Sequence, residues 1–306
     1  MRTGMRRPGQ DRFGSLAQVR TWYAEELRFA GPVESEAVVR AFASVPRERF
    51  LGPGPWRLRS DARDGYRTTA DADPRHVYHN VLVALDETRK INNGSPSLWA
   101  FALDHLDIAT GEAVLHLGCG TGYYSAILAE LVGADGHVIA VEQDAGLAER
   151  ARDALAGWQQ VTAIHADGAS FTAGPRDVIV VSAGATHPLP AWLAALRPGG
   201  RLLFPLTSRR LGGYMLKVTR IGAGDRLAAE LLCRAWFIPF AGGRDAAVDA
   251  LLATAIEGGH GDLVRSLRLD RHVADGSCWV HGDGFCLSWR EPDPVEGEPA
   301  GTGRPA

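Results

Sequence analysis

Lysine is nearly absent from this chain, and so is a strong net charge of either sign. Only Lys90 and Lys217 occur among 306 residues, so arginine supplies 31 of the 33 basic side chains. We interpret this bias as a property of a GC-rich coding sequence and assign no function to any single arginine. The chain also contains 36 acidic residues, so its formal net charge is −3. Because nucleic acids and anionic membranes attract basic surfaces, neither is expected as a partner.

Cysteines and long hydrophobic runs are also scarce. The cysteines, at positions 119, 233, 278 and 286, form no C-x-x-C pair and show no regular spacing with histidine, so no metal site is expected. Cys278 and Cys286 are close enough in sequence to share a hairpin, and we interpret them as two ordinary thiols of a reducing compartment. No apolar run approaches the ~20 residues that span a bilayer, and the basic N-terminus lacks the apolar core of a signal peptide. The sequence therefore predicts a cytoplasmic protein with no membrane partner.

The N-terminal part carries the pattern of amphipathic helices. A length of 306 residues with 45% hydrophobic content allows one large domain or two small ones. Apolar residues at helical spacing predict one helix over Ser15–Ala30 and a second from Ser35 to Val45, where Pro46 ends it. The polar stretch Ser60–Arg75 predicts a long surface loop.

From Ser97 onward, predicted helices alternate with short apolar strands. The helices are predicted over Ser97–Leu106, Tyr123–Val132, Ala145–Leu155 and Pro190–Leu196. The strands are predicted over Ala113–Leu117, Val138–Val141, Val161–Ile164, Val178–Val181 and, after a Pro198-Gly199-Gly200 turn, Arg201–Leu206. Such alternation with Val- and Ile-rich strands predicts an α/β fold with a doubly wound, mostly parallel sheet, which binds ligands at the carboxyl ends of its strands.

The C-terminal part changes pattern again. A helix over Ala246–Ile256 and alternating residues around Asp275-Gly276 and Asp283-Gly284 predict a small α+β element with antiparallel hairpins. Both ends of the chain have the polar, Gly- and Pro-containing composition of flexible segments. The predicted organisation is a flexible N-terminus (1–14), a helical cap with a substrate loop (15–96), an α/β core (97–244), the C-terminal element (245–290) and a disordered tail (291–306).

The strongest local signal is a strand that runs into a glycine-rich turn and then a helix. Gly118, Gly120 and Gly122 punctuate the sequence VLHLGCGTGYY. Glycine lets the backbone turn tightly and approach a ligand, and the helix N-terminus offers free N–H groups. A dinucleotide fingerprint, G-x-G-x-x-G, needs a third glycine where this chain has Tyr123. The spacing therefore disfavours NAD and FAD and predicts a cofactor that has no pyrophosphate.

Acidic residues follow the next two predicted strands. Glu142 ends the second strand, where a carboxylate can accept hydrogen bonds from both hydroxyls of a ribose. Asp167-Gly168 follows the third strand; the carboxylate can accept from an adenine amino group, and the glycine lets the backbone face the ring. A glycine loop, an acid and Asp-Gly at successive strand ends together predict a nucleoside-containing cofactor.

This order of motifs resembles that of class I S-adenosylmethionine-dependent methyltransferases, and other segments narrow the resemblance to the protein-L-isoaspartate O-methyltransferase family. Residues 38–51, VVRAFASVPRERFL, are similar to that family's helix and Val-Pro-Arg-x-x-Phe segment. Ser95-Pro96, Ala166-Asp167-Gly168 and residues 196–202, LRPGGRL, also match, and the resemblance covers roughly residues 15–240. It implies a Rossmann-like methyltransferase fold and S-adenosyl-L-methionine as cofactor. The residues it implies as cofactor contacts are Gly118, Gly120, Gly122, Glu142, Asp167 and Gly168.

The chain departs from the family pattern at two places. His116 stands where the family usually carries an acid, two residues before the first glycine. This change implies a remodelled or water-mediated contact to the methionine amino group. Asn92-Asn93-Gly94 replaces the family's Thr-Ile-Ser, and Ser95-Pro96 follows. This second change implies an altered substrate specificity.

The altered loop supplies hydrogen-bond donors and no acid or base. Methyl transfer from a sulfonium is an in-line displacement that needs positioning and exclusion of water. A carboxylate nucleophile, with an ordinary pKa of about 4, is ionised at neutral pH and needs no general base. Asn92, Asn93 and Ser95 are therefore predicted as catalytic residues that bind one carboxylate oxygen while the other attacks. The alternative interpretation of Asn92-Asn93-Gly94 is a turn with a purely structural role.

A neutral alcohol or an amine nucleophile would instead need a base, which directs attention to histidine. His187 follows the strand Val178–Val181 on the side where such a sheet binds substrate, and His79 is a second candidate. Trp99 completes the candidate substrate residues, as a lid or core residue rather than a platform on which substrate stacks.

The sequence thus predicts an enzyme that uses S-adenosyl-L-methionine to esterify a carboxylate, of the aspartyl or isoaspartyl type, on a peptide or protein. The altered loop and the added C-terminal element favour a specialised substrate, such as an aspartate of a ribosomally made peptide that matures through a methyl ester and a succinimide. Two alternatives stay open: a small-molecule natural-product methyltransferase, and a protein that binds the cofactor without catalysis. The oligomeric state is not predicted.

Overall fold

A computed structural model describes residues 14–60 and 65–292 of the chain. Nearly all of the flexible N-terminus (1–14) and of the disordered tail (291–306) predicted from the sequence lies outside these residues. The chain divides into two compact units: the first runs to Ala173 and includes Val180–Ser182, and the second comprises Gly174–Ile179 and the chain from Ala183 onward. Among the described residues, no helix combines the length and the apolar character needed to cross a bilayer.

The helices of the first unit begin and end close to the predicted positions. They are α1 (Leu16–Ala30), α2 (Glu36–Ser44), α3 (Pro96–Asp104), α4 (Tyr123–Val132) and α5 (Ala145–Leu155). Ser15 caps α1 in a reciprocal pair of bonds with Gln18, and Ser35 caps α2 by accepting from the Val38 N–H. Pro46 follows α2, as predicted. These caps satisfy N–H groups that the first helical turn leaves without partners.

The strands of the first unit are β1 (Arg57–Arg59), β2 (Arg67–Thr68), β3 (Leu82–Asp86), β4 (Ile91–Asn92), β5 (Ala113–Leu117), β6 (His137–Glu142), β7 (Val161–His165) and the end of β8 (Arg176–Val181). Strands β5, β6 and β7 are parallel neighbours, with Ala113 opposite His137 and Val138 opposite Val161. Helices α4 and α5 connect them, which confirms the predicted α/β alternation. The carboxyl ends of these strands therefore lie side by side.

A small antiparallel sheet, in the order β2-β1-β3-β4, precedes the parallel strands. The sequence predicts only a loop over Ser60–Arg75, of which residues 61–64 lie outside the described residues. The prediction is wrong for Arg67–Thr68, which pair with β1, and for Pro74 and Arg75, which begin the 3₁₀ helix Pro74–Val77. Strand β2 consists of two exposed polar residues, so it leaves no apolar signal in the sequence. Strand β4 ends at Asn92, which positions residues 92–95 directly before α3.

The second unit is dominated by antiparallel strands. Its elements are the beginning of β8, α6 (Pro190–Ala194), β9 (Leu196–Ser208), β10 (Gly212–Arg220), β11 (Leu227–Ala235), α7 (Ala246–Gly258), β12 (Ser266–Arg268), β13 (Cys278–Gly282) and β14 (Phe285–Ser288). Their order is β13-β14-β12-β11-β10-β9-β8. The strands appended after α7 thus extend the same antiparallel sheet that β9, β10 and β11 form.

Of the three turns predicted in this unit, one is wrong, one forms without making a hairpin, and one makes the predicted hairpin. The turn predicted at residues 198–200 is wrong, since these residues lie inside β9, where Gly199 has a φ of +77°. A turn does form at Asp275-Gly276, where the Cys278 N–H donates to the Asp275 carbonyl at 3.1 Å, but it joins no pair of neighbouring strands, since β12 pairs with β14 and not with β13. Asp283-Gly284 does connect β13 to β14, and Gly284 has the positive φ that such a tight turn requires.

Candidate cofactor and substrate site

The loop after β5 has the backbone conformation of a ligand cradle. Gly120 and Gly122 take backbone φ values of +58° and +94°, which residues with a Cβ rarely adopt. A Cβ on Gly122 would lie 2.7 Å from Leu155 Cδ1, whereas one on Gly120 would meet nothing within 4 Å. The loop is tied to β6 because the N–H groups of Gly118 and Cys119 both donate to the Val141 carbonyl, at 2.8 and 3.0 Å. The backbone at Gly120 therefore borders open space while the rest of the loop is fixed.

Glu142, at the end of β6, is held by two backbone N–H groups. One carboxylate oxygen accepts from the Gly120 N–H at 2.8 Å and the other accepts from the Asp144 N–H at 2.9 Å. A carboxylate has about four lone-pair directions, so each oxygen retains capacity for a further donor. The side chain is half-buried beside the glycine loop, where it can accept from the hydroxyls of a ribose.

Asp167 and Gly168 follow β7 and lie next to the end of β6. The Ala166 N–H donates to the Glu142 carbonyl at 3.0 Å, which ties the two strand ends together. Asp167 is exposed, and its Oδ1 accepts from the Ala169 N–H at 3.0 Å, while Gly168 is buried. The structure thus brings the glycine loop, Glu142 and Asp167-Gly168 to neighbouring positions in the first unit.

A buried hydroxyl in the same loop is left without a partner. Thr121, between Gly120 and Gly122, is 2% exposed, and its Oγ1 has no hydrogen-bond partner among the described residues. A buried polar atom without a partner costs about 1–3 kcal/mol, so it indicates a site that a ligand or water satisfies. The open space at Gly120, the unpartnered Thr121 hydroxyl and the acceptors on Glu142 fit a polar, nucleoside-containing cofactor.

His116, on β5, is fully buried and hydrogen-bonded on both sides. Its Nδ1 lies 2.7 Å from Ser125 Oγ and its Nε2 lies 2.7 Å from Ser182 Oγ. Burial lowers the pKa of His116 from 6.5 to about 3. The imidazole is therefore neutral at physiological pH, so one ring nitrogen donates to a serine and the other accepts from one. A neutral hydrogen-bonding group occupies the position where the resemblance implies an acid.

The low pKa of His116 predicts a specific pH dependence of stability. Because the unfolded chain binds this proton below pH 6.5 and the folded chain does not, the unfolding free energy falls as pH drops from 6.5 toward 3. Between pH 7 and pH 5 the contribution amounts to about 2 kcal/mol. We expect His116→Gln, which keeps a donor and an acceptor, to remove this part of the slope in urea unfolding. His79→Gln changes an exposed histidine and serves as the control. An unchanged slope in His116→Gln would contradict the assignment.

The three predicted catalytic residues have different surroundings. Asn93 is 6% exposed and its Oδ1 accepts from Arg47 Nε at 3.1 Å, so its side chain points into the protein. Asn92 is half-buried and its Oδ1 accepts from the Gly94 N–H at 2.8 Å. Ser95 stands at the N-cap of α3, but its side chain makes no capping bond, and its Oγ lies 3.5 Å from Ser97 Oγ. Ser95 is the only one of the three with a hydroxyl, whereas the buried Asn93 side chain is bound to Arg47.

Arg47 is the residue of this region that sequence reasoning missed. Its guanidinium is completely buried and donates to the carbonyls of Val77 (2.8 Å), His79 (3.0 Å) and Val81 (2.7 Å), besides Asn93. These carbonyls belong to the segment that leads into β3, so Arg47 fixes that segment and, through Asn93, the loop over residues 92–95, the candidate substrate loop. The Val-Pro-Arg segment that supports the family resemblance contains Arg47, but nothing in the sequence pattern marks its side chain as buried.

The candidate substrate residues differ in accessibility. Trp99 is 1% exposed, packs on Tyr124 with ring centroids 4.9 Å apart, and lies against Gly94, so it is a core residue. His79 is exposed. His187, in the second unit, is half-buried, contacts Thr186 Oγ1 through Nδ1 at 3.0 Å and stacks on the Phe285 ring. Burial lowers the pKa of His187, and Asp245 opposes this effect.

Comparison with known proteins places these motifs in a family. The family model described as Protein-L-isoaspartate(D-aspartate) O-methyltransferase matches residues 21–245. The chain is 31% identical over 211 residues, 68% of this chain and 88% of its relative, to the protein-L-isoaspartate O-methyltransferase of Methanothermobacter thermautotrophicus. It is 30% identical to protein-L-isoaspartate O-methyltransferase 1 of Rhodopseudomonas palustris over 246 residues, 78% of this chain and 90% of the relative.

Solved structures share the fold. A protein-L-isoaspartate O-methyltransferase aligns with a TM-score of 0.59 at 22% identity, covering 84% of this chain and 73% of that structure. A Plasmodium falciparum protein described by the same enzyme name, in complex with S-adenosyl-L-homocysteine, aligns with a TM-score of 0.57 at 15% identity, covering 72% of this chain and 97% of that structure. The predicted Rossmann-like methyltransferase fold is confirmed.

The family match spans most of the chain, and it ends where α7 begins. It includes the glycine loop, Glu142, Asp167-Gly168 and the substrate loop, and it leaves the strands β12, β13 and β14 outside. The chain belongs to the protein-L-isoaspartate(D-aspartate) O-methyltransferase family and is an S-adenosyl-L-methionine-dependent methyltransferase.

Proposed function

We propose that this enzyme transfers a methyl group to a side-chain carboxylate of an aspartyl or isoaspartyl residue in a peptide or protein. The observation that carries the proposal is the loop over residues 92–95, which offers hydroxyl and amide groups but no acid or base. A carboxylate is the acceptor that needs no base, because it is ionised at neutral pH. The names of the relatives, which specify isoaspartate as the methylated residue, support the same acceptor class.

The cofactor contacts follow from the surroundings of the strand ends. S-adenosyl-L-methionine supplies a methyl group on a positively charged sulfur, and transfer leaves a neutral thioether. In our proposal Glu142 accepts from the ribose hydroxyls, Asp167 accepts from the adenine amino group, and the backbone at Gly118 and Gly120 borders the cofactor. Ser95 donates to one oxygen of the substrate carboxylate and leaves the other oxygen to attack. Trp99 and Tyr124 pack against Gly94 and stabilise the loop over residues 92–95; they do not contact substrate in this proposal.

A specialised peptide substrate is the finer part of the proposal. The substrate loop departs from the family pattern, and 47 of the described residues, 246–292, follow the end of the family match. On an aspartyl peptide, the methyl ester makes the side chain a better acyl donor, because methanol leaves more readily than hydroxide or water from a carboxylate. Attack by the next backbone nitrogen forms a succinimide and releases methanol, which takes up the amide proton. Water then opens the ring to aspartate or isoaspartate. Such a sequence fits the maturation of a ribosomally made peptide.

Mass spectrometry tests the proposal directly. We would incubate the full chain and S-adenosyl-L-methionine with matched peptides that contain aspartate, isoaspartate or asparagine at one position. The expected result is a product heavier by one methylene with the acid-containing peptides, a species lighter by one water as the succinimide forms, and no product with asparagine. Binding of S-adenosyl-L-homocysteine without any methylated carboxylate would contradict the proposal and favour a protein that binds the cofactor without catalysis.

Ser95 provides a prediction about the acceptor half of the site. Ser95→Ala removes the hydroxyl that donates to the charged substrate carboxylate, and we expect kcat/KM to fall about 10-fold or more, since hydrogen bonds to charged groups contribute about 1.5–3 kcal/mol. Affinity for S-adenosyl-L-homocysteine should be unchanged. Initial rates of ester formation and calorimetry separate the two effects. An equal loss of cofactor affinity would contradict the assignment of Ser95 to the substrate.

His187→Ala is the matched test of base catalysis. A carboxylate acceptor needs no base, so this variant should retain its rate within about threefold. Loss of activity with cofactor binding intact would instead favour the small-molecule alternative, in which an alcohol or amine must lose a proton. Retention of activity on a carboxylate peptide would exclude His187 as the base.

A further inference from the structure

Four metal-ligating side chains meet in the C-terminal part of the second unit. His272, Cys278, His281 and Cys286 each offer one ligand atom, and these atoms all lie within 4.8 Å of one another. Cys286 is completely buried and the other three are half-buried. The cluster lies beyond residue 245, where the family match ends. The methyl-transfer site proposed above uses none of these residues.

Strand pairing brings the four residues together. His281 on β13 stands opposite Cys286 on β14, and a bulge near the start of β13 shifts Cys278 relative to this pair. His272 belongs to the segment between β12 and β13, and its side chain lies next to Cys278, the first residue of β13. The resulting spacing, H-x5-C-x2-H-x4-C, contains no C-x-x-C pair. For that reason the sequence predicts no metal site, although the fold assembles a set of two thiols and two imidazoles.

The distances within the cluster suit a tetrahedral cation. Cys278 Sγ lies 3.5 Å from His272 Nε2 and 3.8 Å from His281 Nδ1. Tetrahedral zinc, with Zn–S of about 2.3 Å and Zn–N of about 2.0–2.1 Å, requires ligand atoms about 3.3–3.8 Å apart. The two Cys278 distances already fall in this range, and contraction of the wider pairs, which do not exceed 4.8 Å, gives a Cys₂His₂ site. Thiolate and imidazole ligands in a tetrahedral set select zinc over the hard cations magnesium and calcium.

The surroundings of the cluster orient one of its ligands. His272 Nδ1 lies 3.0 Å from the Asp270 carbonyl and 3.2 Å from an Asp270 carboxylate oxygen. Donation from Nδ1 leaves Nε2 with the lone pair that faces Cys278, and metal-binding histidines are usually held in this way. Arg268 binds the Asp270 carboxylate through Nε and one terminal nitrogen, at 3.0 and 2.7 Å. The other terminal nitrogen, Nη1, is buried with no acceptor among the residues the structure describes, and the guanidinium lies within electrostatic range of both cysteines.

We propose that these four residues bind one Zn²⁺ in a structural site. All four positions of the tetrahedron belong to the protein, so the cation has no open position for a substrate. Two thiolates neutralise the charge of the zinc, and the Arg268 guanidinium is a further positive charge within electrostatic range of both sulfurs. Zinc would link His272, in the segment before β13, to the three ligands on the hairpin of β13 and β14. Because the unfolded chain does not hold this arrangement, zinc binding stabilises the folded second unit.

Metal analysis of the full chain tests the proposal. Protein purified without chelator should contain about one zinc per chain, and Cys278→Ser and Cys286→Ser should each reduce this to below about 0.2. Cys233→Ser, which changes a half-buried thiol outside the cluster, is the matched control and should keep the full content. Chelator treatment should lower the melting temperature of the wild type and leave that of Cys286→Ser unchanged.

Cobalt spectroscopy keeps the test decisive if the variants fold poorly. Wild-type protein stripped of metal and loaded with Co²⁺ should show the intense ligand-field bands of a tetrahedral site and a thiolate-to-cobalt charge-transfer band. The proposal is overturned if the stripped protein, once incubated with zinc or cobalt, holds neither metal after gel filtration. It is also overturned if Cys233→Ser loses metal as the cluster variants do. A wild-type mass lower by two hydrogens, with a Cys278–Cys286 disulfide in the peptide map of freshly purified protein, would overturn it as well.

Discussion

Glu142→Ala is expected to weaken binding of S-adenosyl-L-homocysteine on the order of 100-fold or more. In the proposed complex the carboxylate accepts from two ribose hydroxyls, and hydrogen bonds to a charged group contribute about 1.5–3 kcal/mol each. The same substitution removes the acceptors of the Gly120 and Asp144 N–H groups, which hold the loop in place. Both effects lower affinity. Isothermal titration calorimetry measures the loss, and the melting temperature reports the structural part.

Two further variants make this test specific. Glu142→Gln keeps the size of the side chain but turns an N–H group toward one of the backbone donors, so it should lose nearly as much affinity as Glu142→Ala. Glu149→Ala changes an exposed glutamate on α5 and should bind normally. If Glu142→Gln binds like the wild type, Glu142 has no carboxylate-specific role toward the cofactor.

Arg47→Met should lower the free energy of unfolding of the first unit by about 3–5 kcal/mol. The substitution leaves the Asn93 amide oxygen and the carbonyls of Val77, His79 and Val81 without their donor in a buried region. It also removes a cation that lies 5.9 Å from the ring centres of both Tyr23 and Tyr123. The urea midpoint of the transition measures the effect, and activity should fall with it because the substrate loop loses its anchor.

Arginine variants of different design check that the guanidinium itself matters. Arg47→Lys retains the charge but not the planar set of donors, so it should recover less than half of the lost stability. Arg40→Met removes an exposed arginine from α2 and should change stability by less than about 0.5 kcal/mol. A stable Arg47→Lys protein would mean that charge, rather than the geometry of the donors, fixes the loop.

The juxtaposition of the strand ends that form the candidate cofactor site is predictable from sequence because its signals are local. The glycine loop, Glu142 and Asp167-Gly168 each follow a short apolar strand, and parallel strands place their ends together whatever their lengths. The helices α4 and α5 and the strand β5 have the predicted bounds for the same reason: caps, glycines and hydrophobic periodicity fix them locally.

The rest depends on contacts between distant parts of the chain. Arginine is usually a surface residue, so the sequence alone does not predict that Arg47 is buried. Its burial depends on three carbonyls, about 30 residues away in sequence, that accept from its guanidinium. The loop sequence allows the Asn93 side chain to face either a substrate or the core. In the structure it faces the core, where its Oδ1 accepts from Arg47 Nε. His272 and Cys286 are separated by a turn and a strand, so their approach depends on the register of β13 and β14. Long-range pairing of this kind leaves no periodic signal.

The way Arg47 is held has a consequence for how the enzyme responds to its solvent. Its acceptors among the described residues are carbonyl and amide oxygens, which do not titrate, and the guanidinium is completely buried. Salt screens charges that are exposed far more than charges that are buried. The anchor of the substrate loop is therefore indifferent to ionic strength, whereas exposed ion pairs such as Arg57–Glu87, on the small sheet nearby, weaken as salt increases.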